Sequence, residues 1–209
     1  EIHMEEDAGK LIHDEWEDVS YVDYNRSGVP LIEIVSEPDM RNAEEVIAYL
    51  TKLRNTIQYL GASDCKLQEG SMRADVNLSV REKGSTEFGT RTETKNLNSF
   101  SAIQRAIEAE TARQIDIIEA GGQVVQETRR WDDPKGMSFP MRSKEDAQDY
   151  RYFPEPDLLT IVVDKERIKA LKEQIPELPN IKIKRYVSDY SLSQIDATLI
   201  LSLIHISEP

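Results

Sequence analysis

The sequence predicts an α+β fold: a mainly antiparallel sheet with covering helices, followed by the start of a small helical domain. Three observations carry it. Segments of strand period outnumber those of helix period, and neighbouring strands are joined by polar turns rather than long crossovers. Two long amphipathic helices are bounded by recognisable caps. With 209 residues, 39% of them apolar, the chain can furnish one sizeable core and the beginning of a second.

The first strand is "EIHMEED", in which Ile2 and Met4 are expected to face inward and His3, Glu5 and Asp7 the other way. An acidic stretch, "DEWED" (residues 14–18), reads as a solvated loop. After "RSGVP" comes "LIEIVS", where Leu31, Ile32, Ile34 and Val35 put apolar side chains on both faces of the pleat and Glu33 is therefore expected to be at least half buried. A buried carboxylate needs a partner. It is either structural, with Arg26 or Arg41 within chain reach, or a cation for which Glu33 is a ligand.

"EPD" ends that strand, and Asn42 with Glu45 three residues on signals a capped helix whose stripe runs Val46, Leu50, Leu53, Ile57 and Leu60 to a stop at Gly61. Next comes the clearest hairpin signal. Met72, Ala74, Val76, Leu78 and Val80 alternate with Arg73, Asp75, Asn77, Ser79 and Arg81, and Lys83-Gly84 is the expected turn. The return strand puts Arg91, Glu93 and Lys95 on one side and threonines on the other. Such a polar face is either a solvated sheet surface or a cradle for a charged ligand such as a nucleotide with its metal.

A second long helix is predicted from about Asn98, with Phe100, Ile103, Ile107 and Ile118 inward and Gly121-Gly122 as its end, covering the apolar side of the hairpin. "VVQETRRW" and "MSFPMR" are strands joined at "DDPKG", and "DLLTIVV" (residues 157–163) is another, leading through Asp164 into a short helix. "QIPELP" punctuates the chain before a segment of helical character. The expected division is therefore a cradle domain over 1–176, its N-terminal part missing, the start of a helical domain over 177–198, and an atypical tail over 199–209. A first residue of Glu rather than Met is expected of a fragment.

The charge narrows the partners. Residues 1–60 hold 5 Lys and Arg against 14 Asp and Glu, which is −9 of the total −13. That segment repels phosphate backbones but suits a divalent cation. No apolar run reaches membrane-spanning length, so no membrane association is expected. Cys65, the single cysteine, excludes an internal disulfide and reads as a small buried hydrophobe. There is no GxGxxG, P-loop or HExxH, so a bound nucleotide is expected to be held by side chains and metal rather than by backbone amides.

Read together and in order, "HMEEDAGK", "DYNRSGVPLIEIVSEPD", "EGSMRADVNLSVR", "TKNLNSF", "QETRRW" and "DYRYFPEPDL" closely resemble the B subunits of aspartyl/glutamyl-tRNA amidotransferases, over about residues 1 to 198. The paralogous archaeal protein that pairs with an asparaginase-like glutaminase is the nearest confusable family. The resemblance implies a cradle similar to glutamine synthetase, with ATP and Mg2+ on the polar face of its sheet. It also implies ATP-dependent amidation of misacylated Glu-tRNA(Gln) or Asp-tRNA(Asn), in the cytoplasm or an organelle matrix. The ammonia would come from a partner amidase, the A component of the complex, alongside a small C component.

In that pattern the first glutamate of "EEDAGK" and the glutamate of "PLIE" bind the metal, here Glu5 and Glu33, while a third ligand, a histidine, falls upstream of residue 1. By chemical role, Arg73, Asp75, Asn77 and Lys95 are the expected catalytic or phosphate-contacting residues, with Arg73 and Lys95 on the cofactor; Arg129 and Arg151 are expected to be ordinary ion-pair residues. Most tRNA contacts are expected from domains beyond this chain, because "ILSLIHISEP" does not resemble the family's continuation. The alternative from another class is a non-catalytic acidic scaffold that docks partner subunits and holds a structural cation.

Overall fold

The computed structural model describes residues 1–14, 16–141, 159–160 and 162–204, the last three by their backbone alone. They form two compact units, Glu1–Arg41 and Asn42–Pro209.

The first unit is a long two-stranded ribbon in two segments. Strands β1 (Ile2–Glu6) and β4 (Pro30–Ile34) pair antiparallel, and β2 (Lys10–His13) and β3 (Ser20–Asp23) pair antiparallel inside them. Between the segments one limb is longer than the other, and the excess is taken up in a turn over residues 24–28, where Gly28 adopts φ +78. Hydrogen bonds from Asp7 N to Val29 O and from Gly28 N to Asp7 O, both 2.9 Å, keep the ribbon closed there. The ion pair from Arg26 to Asp7, 2.8 Å, reinforces it.

Alternation is as expected in this ribbon, but burial is not. Ile2 and Met4 are 68% and 75% exposed, and Glu33 is exposed as well. The physical reason is that alternation assigns a residue to a face, whereas burial needs a second layer, and among the described residues of this unit the regular elements are strands.

The second unit has that layer. Helix α1 (Ala43–Tyr59) starts where the Asn42 side chain accepts from Glu45 N at 2.8 Å, and Gly61 at φ +67 follows its end. Strands β5 (Val76–Leu78) and β6 (Thr92–Lys95) pair antiparallel. Helix α2 (Phe100–Glu119), capped by Ser99, leads to β7 (Thr128–Asp132), which pairs antiparallel with β8 (Met137–Pro140). The sheet order is β5-β6-β7-β8, and its central pair, β6 with β7, is parallel. A helical crossover brings the chain back to start a strand at the same end, which is why this junction departs from the antiparallel rule of the rest.

The hairpin turn lies where the sequence predicts, with Ser85 N donating to Glu82 O across Lys83-Gly84. The strands, however, stop pairing at Leu78 and Thr92, so the connection is a loop over 79–91. Gly89 explains its shape: a Cβ there would collide with the Val80 carbonyl oxygen, so the two limbs touch backbone to backbone.

Helix α2 lies against the sheet and α1 packs on α2. Ala43, Leu50, Leu97, Ala102, Ile103, Ala106, Ile107 and Trp131 form the core, with Met72, Ala74, Val76 and Leu78 against it. Burial of a side chain such as Ile103 stabilises the unit by about 1.5–3 kcal/mol. Ile118, expected inward, is 46% exposed, and the inner stripe of α2 is completed instead by Glu110 and Gln114.

Helices α3 (Lys165–Gln174), α4 (Pro179–Tyr190) and α5 (Gln194–Ile204) complete the order, with α4 and α5 in mutual contact. Leu201 is buried, while Leu199 and Ile200 are exposed. The motif "DYRYFPEPDL", Arg151 and the side chains of Leu203 and Ile204 lie outside the described residues. Of the predicted strand over 157–163, only 159, 160, 162 and 163 are described, and they carry no strand. Among the described residues no helix is long and apolar enough to cross a membrane.

Candidate functional site

On the ribbon, the register places His3 opposite Glu33 and Glu5 opposite Leu31, so His3, Glu5 and Glu33 share one face. Glu5 and Glu33 are diagonal neighbours across the pair, within reach for long side chains. Their carboxyls meet. The hydrogen bond with Glu33, partial burial and the Glu33 charge together push the Glu5 pKa above the ordinary carboxylate value, and His3 opposes this.

A carboxyl that faces a second carboxylate is a donor suited to a hard divalent cation, which relieves the repulsion between them. The set is partial: among the described residues no group of three or more His, Cys, Asp or Glu side chains is placed to hold a metal. The two oxygen-donor side chains fit Mg2+, whose coordination sphere characteristically retains several waters. Of the two structural partners weighed for Glu33, Arg26 pairs with Asp7, and Arg41 donates to the carbonyls of Pro38 and Met40.

On the second unit, Asp75 and Asn77 come from the β5 limb and Glu93 and Lys95 from β6, with Asn77 directly opposite Glu93. Lys95 Nζ lies 2.6 Å from Asp75 and 3.3 Å from Glu93. Burial alone lowers the Lys95 pKa, but the bonds and charges of Asp75 and Glu93 outweigh it and the net shift is upward. Thr128 on β7 extends the face by donating to Glu93 at 2.8 Å. Arg73 is exposed two positions before Asp75. The expected alternation is thus realised: Thr92 and Thr94 turn into the core and Glu93 and Lys95 away from it.

Sequence reasoning missed what lies beneath this face. Glu110 is 2% exposed and Gln114 fully buried. Glu110 accepts from Thr92 at 2.7 Å, from Arg113 at 2.6 and 2.8 Å, and from Gln114 at 3.0 Å. Burial pushes its pKa up, but these donors more than reverse that and hold it below the ordinary value. Arg129, expected to be an ordinary ion-pair residue, is a buried member of the same network, bonded to Ser138 at 2.7 Å and to Glu127. The available signal was positional: residues 110 and 114 lie in helical phase with Ile103 and Ile107.

A cleft of about 530 Å³ opens beside Asn96, Asn98, Arg130, Lys135 and Phe139. Its acids are already engaged, Asp132 by Lys135 at 3.3 Å and Asp133 by Arg105 at 2.7 Å.

The family described as the GatB/GatE catalytic domain matches residues 1–169. Among curated relatives, the B subunit of the aspartyl/glutamyl-tRNA(Asn/Gln) amidotransferase from Lachnospira eligens is 76% identical over 200 residues, covering 96% of this chain and 41% of the relative. The protein of the same name from Agathobacter rectalis is 69% identical over 208 residues, covering 100% of this chain and 44% of its own. That from Caldicellulosiruptor bescii is 63% identical, covering 96% and 42%. The chain therefore spans less than half the length of these relatives.

Proposed function

The chain belongs to the GatB/GatE catalytic domain family, and from that premise we propose that it is the ATP- and Mg2+-binding part of an enzyme that amidates misacylated Glu-tRNA(Gln) and/or Asp-tRNA(Asn). In this reading residues 1–176 belong to the cradle domain and 177–198 open a helical domain. ATP would supply the phosphoryl group that activates the side-chain carboxylate of the aminoacyl-tRNA, for displacement by ammonia from a partner amidase. The small third component of the complex and most tRNA contacts would lie outside this chain. The reaction would take place in the cytoplasm or an organelle matrix.

The observation that carries the proposal is the Glu5 and Glu33 pair on one ribbon face. A carboxylate nucleophile is already ionised near pH 7, so the site must neutralise charge more than it must remove a proton. On the ribbon Glu5 and Glu33 would hold the cation; on the helix-backed unit Lys95 and Arg73 would bear on phosphate oxygens. Asp75 holds the Lys95 ammonium through its 2.6 Å contact, and Asn77, opposite Glu93, would add a neutral polar group to the same face.

The test is Glu33→Gln in the full-length protein with its amidase partner. The amide keeps the shape and loses the charge, so ATP-dependent amidation should cease while glutamine hydrolysis at the partner persists. Unchanged γ-phosphate release would remove Glu33 from the chemistry and favour the scaffold reading, in which the acidic ribbon only docks partner subunits around a structural cation.

A further inference from the structure

The buried side of the four-stranded sheet converges on two side chains of one helix. Glu110 takes the hydroxyl of Thr92 on β6 at 2.7 Å, the hydroxyl of Ser138 on β8 at 3.4 Å, and the guanidinium of Arg129 on β7 at 3.5 Å. Gln114 reaches the fourth strand. Its amide donates to Leu78 O at 3.2 Å and accepts from Val80 N at 3.1 Å, standing in for ladder bonds just where β5 stops pairing with β6. The same amide nitrogen also lies 2.9 Å from Thr92 Oγ1 and 3.0 Å from Glu110 Oε1, so its two hydrogens are shared among these and Leu78 O, which links the two hub residues.

Three of the anchored residues have a chain neighbour on the polar face. Leu78 is followed back to Asn77, Thr92 forward to Glu93, and Arg129 back to Thr128. Because successive strand side chains point to opposite faces, a shift of the inner anchor moves its outer neighbour with it. We propose that Glu110 and Gln114 are positioning residues: from α2 they tie all four strands and so set the spacing of Asp75, Asn77, Glu93 and Lys95 on the opposite face.

The chemistry of the hub suits this task. A sheet could be packed against α2 by apolar residues alone, as Ile103 and Ile107 do one and two turns earlier. Hydrogen bonds add direction, since each fixes a strand along its axis as well as towards the helix, and a network in which every member is paired has one arrangement. Loss of one member leaves buried groups unpaired, so the strands must shift or admit water to satisfy them.

The decisive readout is the Lys95 side-chain ammonium, observed by NMR in this chain. Gln114→Ala and the isosteric Thr92→Val should displace its resonance and weaken the Lys95 to Asp75 ion pair, whereas Thr92→Ser, which retains the hydroxyl, should preserve both. Ile103→Val controls for stability, as it loosens the same helix without touching the hub. Equal displacement in Ile103→Val, or none in Gln114→Ala and Thr92→Val, would overturn the proposal.

A second arm rests on the reading that the polar face binds ATP. In the full-length enzyme, Gln114→Ala should raise the KM for ATP roughly 10- to 100-fold, the scale for a misplacement near 1 Å. Glutamine hydrolysis at the partner should be unaffected. If Lys95→Ala leaves the KM for ATP unchanged, the nucleotide reading of the face fails, and the NMR comparison still decides whether the hub positions it.

Discussion

The ribbon and the helix-backed unit both display alternating charged residues, yet they hold their carboxylates in opposite ways. Glu5 meets another carboxyl and its pKa rises; Glu110 meets Arg113, Gln114 and Thr92 and its pKa falls despite deep burial. The difference teaches that burial alone does not set the sign of a shift. The neighbours do. A carboxyl stabilised by donors on every side is a structural element. One left facing its like, on an open face, is a place where an added cation gains the most.

The contrast extends to charge and to packing. Residues 1–41 hold 12 Asp and Glu against 3 Lys and Arg, which is −9 of the −13. Their strands have no covering layer within the unit, whereas Ile103, Ala106 and Trp131 in the second unit are each at most 1% exposed. Two-stranded ribbons are at best marginal in water, so the second unit should be the stable one.

Substitutions should separate the two units. The largest effect is expected in the second unit from Glu110→Ala, which leaves a cavity and deprives Thr92, Arg113 and Gln114 of their shared acceptor while Arg129 keeps Ser138 and Glu127, and should cost about 3 kcal/mol in denaturant unfolding. A loss below about 1 kcal/mol would mean the network is not cooperative. Gly89→Ala should follow, at about 1–3 kcal/mol, because its Cβ meets backbone that cannot rotate away. Asn42→Ala removes the α1 cap and should cost about 1 kcal/mol. Met4→Ala on the ribbon should change the stability of this chain by less than about 0.5 kcal/mol, as an exposed position does.

Acid provides a further separation. Since the folded pKa of Glu110 lies below its ordinary value near 4.5, its stabilisation is present above that value and is lost as pH falls through the lower, folded one. Glu5 has the opposite sign: its raised pKa makes the folded ribbon the better proton binder, so its contribution declines as pH rises through the carboxylate range. Hydrogen exchange followed from pH 6 to pH 3 should therefore show the second unit loosening. Glu110→Gln should flatten that dependence.

Much of this was legible in the sequence. Caps at Asn42 and Gly61 and the alternation from Met72 to Leu78 are local features, written in residues adjacent to the ones they govern. The pairing of Glu5 with Glu33 was legible only through the family resemblance, because register between strands some thirty residues apart is not a local property. The exposure of Ile2 and Glu33 was not legible, since it depends on a covering layer rather than on their own strands. The parallel β6–β7 junction followed from a helical crossover whose return side the local pattern does not state. Glu110 and Gln114 were hidden because polar residues on an inner helical face look like interruptions of a stripe until their partners on four strands are known.

We propose that Glu5 and Glu33 form one cation-binding pair. The most direct test is a Mg2+ titration of this chain with the glutamate side-chain carboxyl carbons observed by NMR, across the carboxylate pH range. Glu5 and Glu33 should shift together with a single binding curve, and Mg2+ should move the Glu5 titration to lower pH, because a bound cation opposes protonation of Glu5. Independent shifts of the two carboxyls, or a Glu5 titration unmoved at saturating Mg2+, would contradict the account.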